Sequence, residues 1–66
     1  MHVILNGVDR ETHAATIAAL LATLSIDQEN FLAVSRNGTI VRRHEWETTP
    51  IAAGDRIDIL TIVGGG

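Results

Sequence analysis

No cysteine and no lysine occur among the 66 residues of the chain. The first absence removes a disulfide framework, a cysteine-ligated zinc and a thiol nucleophile. The second leaves arginine as the sole strongly basic side chain, at Arg10, Arg36, Arg42, Arg43 and Arg56. Aromatic residues number two, Phe31 and Trp46, and proline occurs once, at Pro50. Net charge is -3 and pI is near 5.4, so a basic footprint for nucleic acid is missing. The longest apolar stretch, near residues 17–24, falls short of the ~20 residues of a membrane span. The apolar start Met1 to Leu5 stops at Asn6-Gly7 and has no basic lead-in, unlike a secretory leader. A cytoplasmic protein follows as the expectation, with no membrane and no nucleic-acid partner. The composition, 45% hydrophobic and 20% charged, is globular. A chain of this size buries only ~60% of its unfolded surface, so one domain with a thin core is expected.

What is present has a readable order. Residues 2–5 are β-branched and aliphatic, and the Asn6-Gly7 that follows supplies the positive φ angles of a two-residue hairpin turn. A weaker strand over 8–12 returns, with Asp9 and Glu11 facing water. Ile17, Leu20, Leu21 and Leu24 then fall at i, i+3, i+4 and i+7, one face of a helix. Thr16 is placed to cap it. Residues 25–30 are polar and read as a loop. A strand over 31–36 meets a second Asn-Gly turn at Asn37-Gly38, and residues 39–42 return. Residues 43–47 suit a short helical turn, Gly54-Asp55 a further turn, and 56–63 a last strand. The order β-β-α-β-β-β, with one amphipathic helix for one sheet face, predicts an α+β fold. It is a β-grasp (ubiquitin-like) arrangement, a mixed sheet of four to five strands with the last strand parallel to the first. Residues 1–63 form the domain, and 64–66 a flexible glycine tail.

Alternation in the last strand puts Ile57, Ile59, Thr61 and Val63 on one face. Arg56, Asp58, Leu60 and Ile62 take the other. Because Asp58 resists burial, its side is the open one. Ile4 points the same way, and pairing is expected to bring it near Leu60 and Ile62 as an apolar patch for a partner, close to the C-terminus.

Three of the six glycines are Gly64, Gly65 and Gly66. Average usage of ~7% gives such a run at a given place a chance of ~0.0003. Glycine packs nothing in a strand but lends reach and thinness, and its terminal carboxylate is ionised and unhindered. Such an end suits delivery into another protein's active site, where it could attack the α-phosphate of ATP to form an acyl-adenylate. A disordered end is the plainer alternative.

These residues together resemble the bacterial sulfur carriers of thiamine biosynthesis, the ThiS type within the ubiquitin-like sulfur carriers. The resemblance spans the chain. It rests on Asn6-Gly7, on Thr16-Ile17 leading into Leu20-Leu21 and Leu24, and on Ala33-Val34 before Asn37-Gly38. Ile40-Val41 with Arg43 and Trp46, Gly54-Asp55 with Ile57, and the closing Val63-Gly64-Gly65-Gly66 complete it. The resemblance implies that Gly66 is adenylated by an E1-like activating enzyme that consumes ATP. Gly66 then becomes a thiocarboxylate with sulfur from a desulfurase or equivalent, and gives that sulfur to thiazole synthase. Gly64 and Gly65 would let the tail thread, and Ile4, Leu60, Ile62 and Val63 would meet the partner. No cofactor is expected to stay bound, and the chain is a protein co-substrate rather than an enzyme. Two positions depart from the family pattern: Arg42 stands where proline is usual, and Arg36 where an apolar residue is usual. Arg36 shares the Val34 side, so its stem is expected to snorkel past the sheet edge.

The small subunit of molybdopterin synthase, a second thiocarboxylate donor, is the alternative within the fold. A ubiquitin-like interaction module or a conjugating modifier are the others. Without lysine, this chain offers a modifier only its α-amino group for chain building. His44-Glu45 lacks the second histidine of a His-Glu-x-x-His site, since Thr48 holds that place. His2 and His13 read as surface histidines rather than metal ligands, and no metal is expected. Asp27 and Glu29 read as loop solvation. Arg42-Arg43 is either a docking patch for an acidic partner or a solvated edge. Trp46 is assigned to the core or its rim.

Overall fold

A computed structural model describes residues 1–24 and 31–61 (of 31 and 32, the backbone). β1 (His2–Leu5) and β2 (Val8–Glu11) form the first hairpin, and α1 (Ile17–Ala22) follows. β3 (Phe31–Arg36) and β4 (Thr39–Ile40) form the second hairpin, Arg43–Glu45 a 3-10 turn, and β5 (Arg56–Thr61) the last strand. The sheet order is β2-β1-β5-β3-β4. β5 lies at its centre, parallel to β1 and antiparallel to β3. This is the expected β-grasp. The expected loop over 25–30 lies outside the described residues.

Both hairpin turns adopt the conformation their dipeptides favour. Asn6 and Gly7 have φ of 49 and 82, and Asn37 and Gly38 have φ of 52 and 87. Two successive positive φ values define the type I′ turn, whose twist matches the strands it joins.

α1 has six residues, well below the ~12–15 at which a helix stands alone in water, so packing sustains it. Ile17, Leu20 and Leu21 bury its inner face. The Thr16 side chain accepts from the Ala19 N–H at 3.2 Å, as an N-cap should. Two other first-turn donors find carbonyls outside the helix. Ile17 donates to Thr49 and Ala18 to Trp46, at 3.0 and 2.8 Å. The helix ends earlier than its apolar period suggests. The Thr23 hydroxyl donates to the Leu20 carbonyl at 2.6 Å, while Leu24 still packs against the core.

The core comprises Val3, Leu5, Ile17, Leu20, Leu21, Val34, Val41, Trp46, Ile51 and Ile57. Trp46 therefore belongs to the core: it is 5% exposed, and its indole N–H donates to the Val41 carbonyl at 3.0 Å. Arg43 stacks over its ring at 4.6 Å, a cation–π contact.

Candidate functional site

The site is built on β5 and the strands beside it. Arg56, Asp58 and Leu60 are exposed and Ile57 is buried, so the open face is the one alternation indicated. Leu60 is 61% exposed and Ile4 is 36% exposed. Their expected adjacency does not hold. The parallel register sets Ile4 opposite Arg56 and Leu5 opposite Ile57. Ile4 thus lies four residues back along the strand from Leu60, ~13 Å at strand rise. The hairpin turn fixes this: β1 ends at Leu5, and β5 runs on past it.

The neighbour of Leu60 comes from the other side of the sheet. Ser35 pairs with Ile40 and with Asp58, so Ile40 shares the open face, where it is 63% exposed. Ala33 pairs with Leu60. Ala33, Ile40 and Leu60 line a groove of about 230 Å³ with Ser35, Asp58 and Ile59. Sequence reading missed Ile40. The signal was available in the alternation of Ile40 with buried Val41, but the strand is too short to weigh it. Ile62, Val63, Gly64, Gly65 and Gly66 lie outside the described residues.

Two asparagines brace β5 from either side. Asn37 Oδ1 accepts from the Arg56 N–H at 2.9 Å, at the strand's start. Asn6 Oδ1 accepts from the Ile59 N–H at 2.7 Å, and Asn6 Nδ2 donates to the Ile59 carbonyl at 3.2 Å. Sequence reading assigned both residues to turns and missed these bonds. A bond between residues 53 apart carries no local pattern.

Asp55 organises the turn that launches β5. It is 7% exposed and accepts from Arg36 Nε at 2.7 Å, Asn37 Nδ2 at 3.0 Å and the Ala52 N–H at 2.8 Å. Burial alone raises such a carboxyl. The Ala52 N–H, then Asn37, then Arg36 outweigh it and hold Asp55 below the usual carboxylate value. Arg36 therefore does not simply snorkel past the sheet edge: its guanidinium turns to Asp55 and is neutralised there.

Elsewhere, His2 Nδ1 lies 2.9 Å from Asp9 Oδ1 at the surface. Among the described residues no three acidic or histidine side chains gather as a metal site, and no helix is long and apolar enough to cross a membrane.

A model of the ThiS family matches residues 3–66. The chain belongs to the ThiS family. The crystal structure of the thiamine biosynthesis protein ThiS from Geobacter metallireducens superposes with a TM-score of 0.79 at 28% identity, covering all of both chains. The solution structure of a thiamine biosynthesis protein from Geobacter metallireducens gives the same score and identity, with 88% of that chain covered. A thiazole synthase of Paramagnetospirillum magneticum is 34% identical over 67 residues. That match takes in the whole of this chain, which spans a fifth of the length of that relative.

The ThiS resemblance read from the sequence is thus borne out, and its two departures have local explanations. Arg42 has φ of -71, a value proline also adopts. It uses the N–H that proline lacks to donate to Glu45 Oε1 at 3.1 Å, closing the 3-10 turn. Arg36 is matched by Asp55.

Proposed function

We propose that this chain carries sulfur for construction of the thiazole ring of thiamine. The Gly66 carboxylate attacks the α-phosphate of ATP in an E1-like activating enzyme, and pyrophosphate leaves. Sulfur delivered by a desulfurase or equivalent displaces AMP from the acyl carbon, and the resulting thiocarboxylate donates its sulfur in thiazole synthase. The chain is consumed and regenerated as a co-substrate, holds no cofactor of its own and works in the cytoplasm. Residues 64–66 act as a threading tail beyond the 1–63 domain.

The observation that carries this reading is the ThiS match through residue 66. It is supported by the relative named thiazole synthase, which contains a stretch similar to this whole chain. The absence of cysteine agrees, since no side-chain thiol is available to hold sulfur. Gly66 lies five positions beyond Thr61, a reach of at most ~17 Å for extended chain. A partner must therefore seat itself close to the end of β5. The groove around Leu60 and Ile40 meets that requirement, with Ile62 and Val63 next along the chain. Ile4 belongs to the same face at its far side.

ATP–pyrophosphate exchange by the activating enzyme of the same host tests the reading. Exchange should require the intact chain and disappear when Gly66 is deleted, with no change in melting temperature. Equal exchange with the deleted chain would refute it.

A further inference from the structure

The geometry points to Asn6 as a positioning residue that fixes the base of the glycine tail for adenylation. This rests on the carrier reading above.

The argument starts from the ladder between β1 and β5. The Asn6 N–H donates to the Ile57 carbonyl at 2.9 Å, the last backbone bond of that pair. In a regular parallel ladder the Asn6 carbonyl would next accept from Ile59. Asn6 has turned into the left-handed region, with φ of 49, and its chain leaves for β2. Its carboxamide takes over. Oδ1 stands where the carbonyl would be and accepts from the Ile59 N–H, and Nδ2 takes the place of the next ladder donor, the residue-8 N–H, and donates to the Ile59 carbonyl. One side chain thus supplies the next acceptor and the next donor of the ladder and extends the grip on β5 by two residues.

Beyond Ile59 the support of the described residues is one-sided. Leu60 and Thr61 pair with β3 alone, and the β3 register shifts between Phe31 and Ala33 at that same point. Among the described residues Asn6 is therefore the last clamp on the β1 side, and the Ile59 it holds lies seven positions before Gly66. It holds the end of β5, from which the chain runs on to Gly66. Loss of the clamp lets the end of β5 fray, so a docked carrier offers its carboxylate to ATP less often. Docking, which uses the open face, is left intact.

The molecule contains its own control. Asn37 makes the equivalent bond at the opposite end of β5, to the Arg56 N–H, ten positions before Gly66. Asn6→Gly and Asn37→Gly both keep a residue suited to positive φ and delete the carboxamide. ATP–pyrophosphate exchange by the host's activating enzyme, measured with each folded variant as the varied substrate, separates the roles. Asn6→Gly is expected to lower kcat about tenfold with KM changed less than twofold, and to speed amide exchange at Leu60 and Thr61. Asn37→Gly is expected to lower the melting temperature at least as much and leave kcat unchanged. Parent-like kcat for Asn6→Gly, or equal losses for both variants, overturns the positioning role while the carrier reading stands. No exchange with the parent chain, when the enzyme is active on another ThiS carrier, overturns the carrier reading and this inference with it.

Discussion

Arg36 Nε lies 2.7 Å from Asp55 Oδ2, tying the end of β3 to the turn from which β5 begins. The two residues are 19 apart in sequence. Their pair makes the central strand's starting point depend on one ionised carboxylate, itself almost wholly buried.

That dependence gives a pH signature. The Asp55 carboxyl is lowered from its ordinary value of 3.8. A group depressed on folding stabilises the fold fully above its unfolded value, and that stability is lost as pH falls through the folded one. The contribution should be constant from neutrality down to about pH 5 and fade below ~3.8. Asp55→Asn should cost about 1.5–3 kcal/mol at pH 7, the range for bonds to a charged group. It should also flatten the acid limb of stability. Urea denaturation at pH 7 and pH 3 checks this: the parent and variant should differ at pH 7 and converge at low pH. A constant difference at both would contradict the pairing.

Gly38 tests the second turn. Its φ is +87, and a Cβ there would meet nothing within 4 Å. Gly38→Ala should therefore lose about 1 kcal/mol through backbone strain alone. A melting temperature lower by roughly 4–8 °C is expected for a domain of this size. An unchanged melting temperature would mean that the turn relaxes to another type.

The open face should separate docking from folding. Leu60→Asp and Ile40→Asp place a charge on positions 61% and 63% exposed. Each should change stability by less than ~0.5 kcal/mol and weaken binding to the activating enzyme at least tenfold. Leu21→Ala, in the core, should do the reverse and cost about 2–5 kcal/mol. Calorimetry of unfolding and of binding reads both. Parallel losses for Leu60→Asp would place Leu60 in the core.

Much of this was legible in the sequence because it is locally encoded. The two Asn-Gly pairs fixed both hairpins, the 3-4 spacing of Ile17, Leu20 and Leu21 marked the helix, and alternation around Asp58 marked the open face. The illegible part is what joins distant segments. The placement of Ile4 beside Arg56 depends on parallel register, which no short pattern states. The bonds from Asn6 to Ile59 and from Arg36 to Asp55 exist only once β5 has entered the sheet between β1 and β3. Arg36 looked out of place in isolation because its partner sits beyond the second hairpin. The tail was conspicuous by composition, and the chemistry proposed for it rests on family resemblance rather than on any packing argument.

The most direct measurement is the mass of the intact chain after incubation with host extract, ATP and a sulfur source, with fragmentation to locate any change. A Gly66-deleted chain serves as control. Replacement of one oxygen by sulfur at Gly66 is the expected result. Met1 oxidation adds a similar mass, so the position decides. An unaltered Gly66 in an extract that makes thiamine, or Gly66 joined by an amide to another protein, would contradict the carrier role.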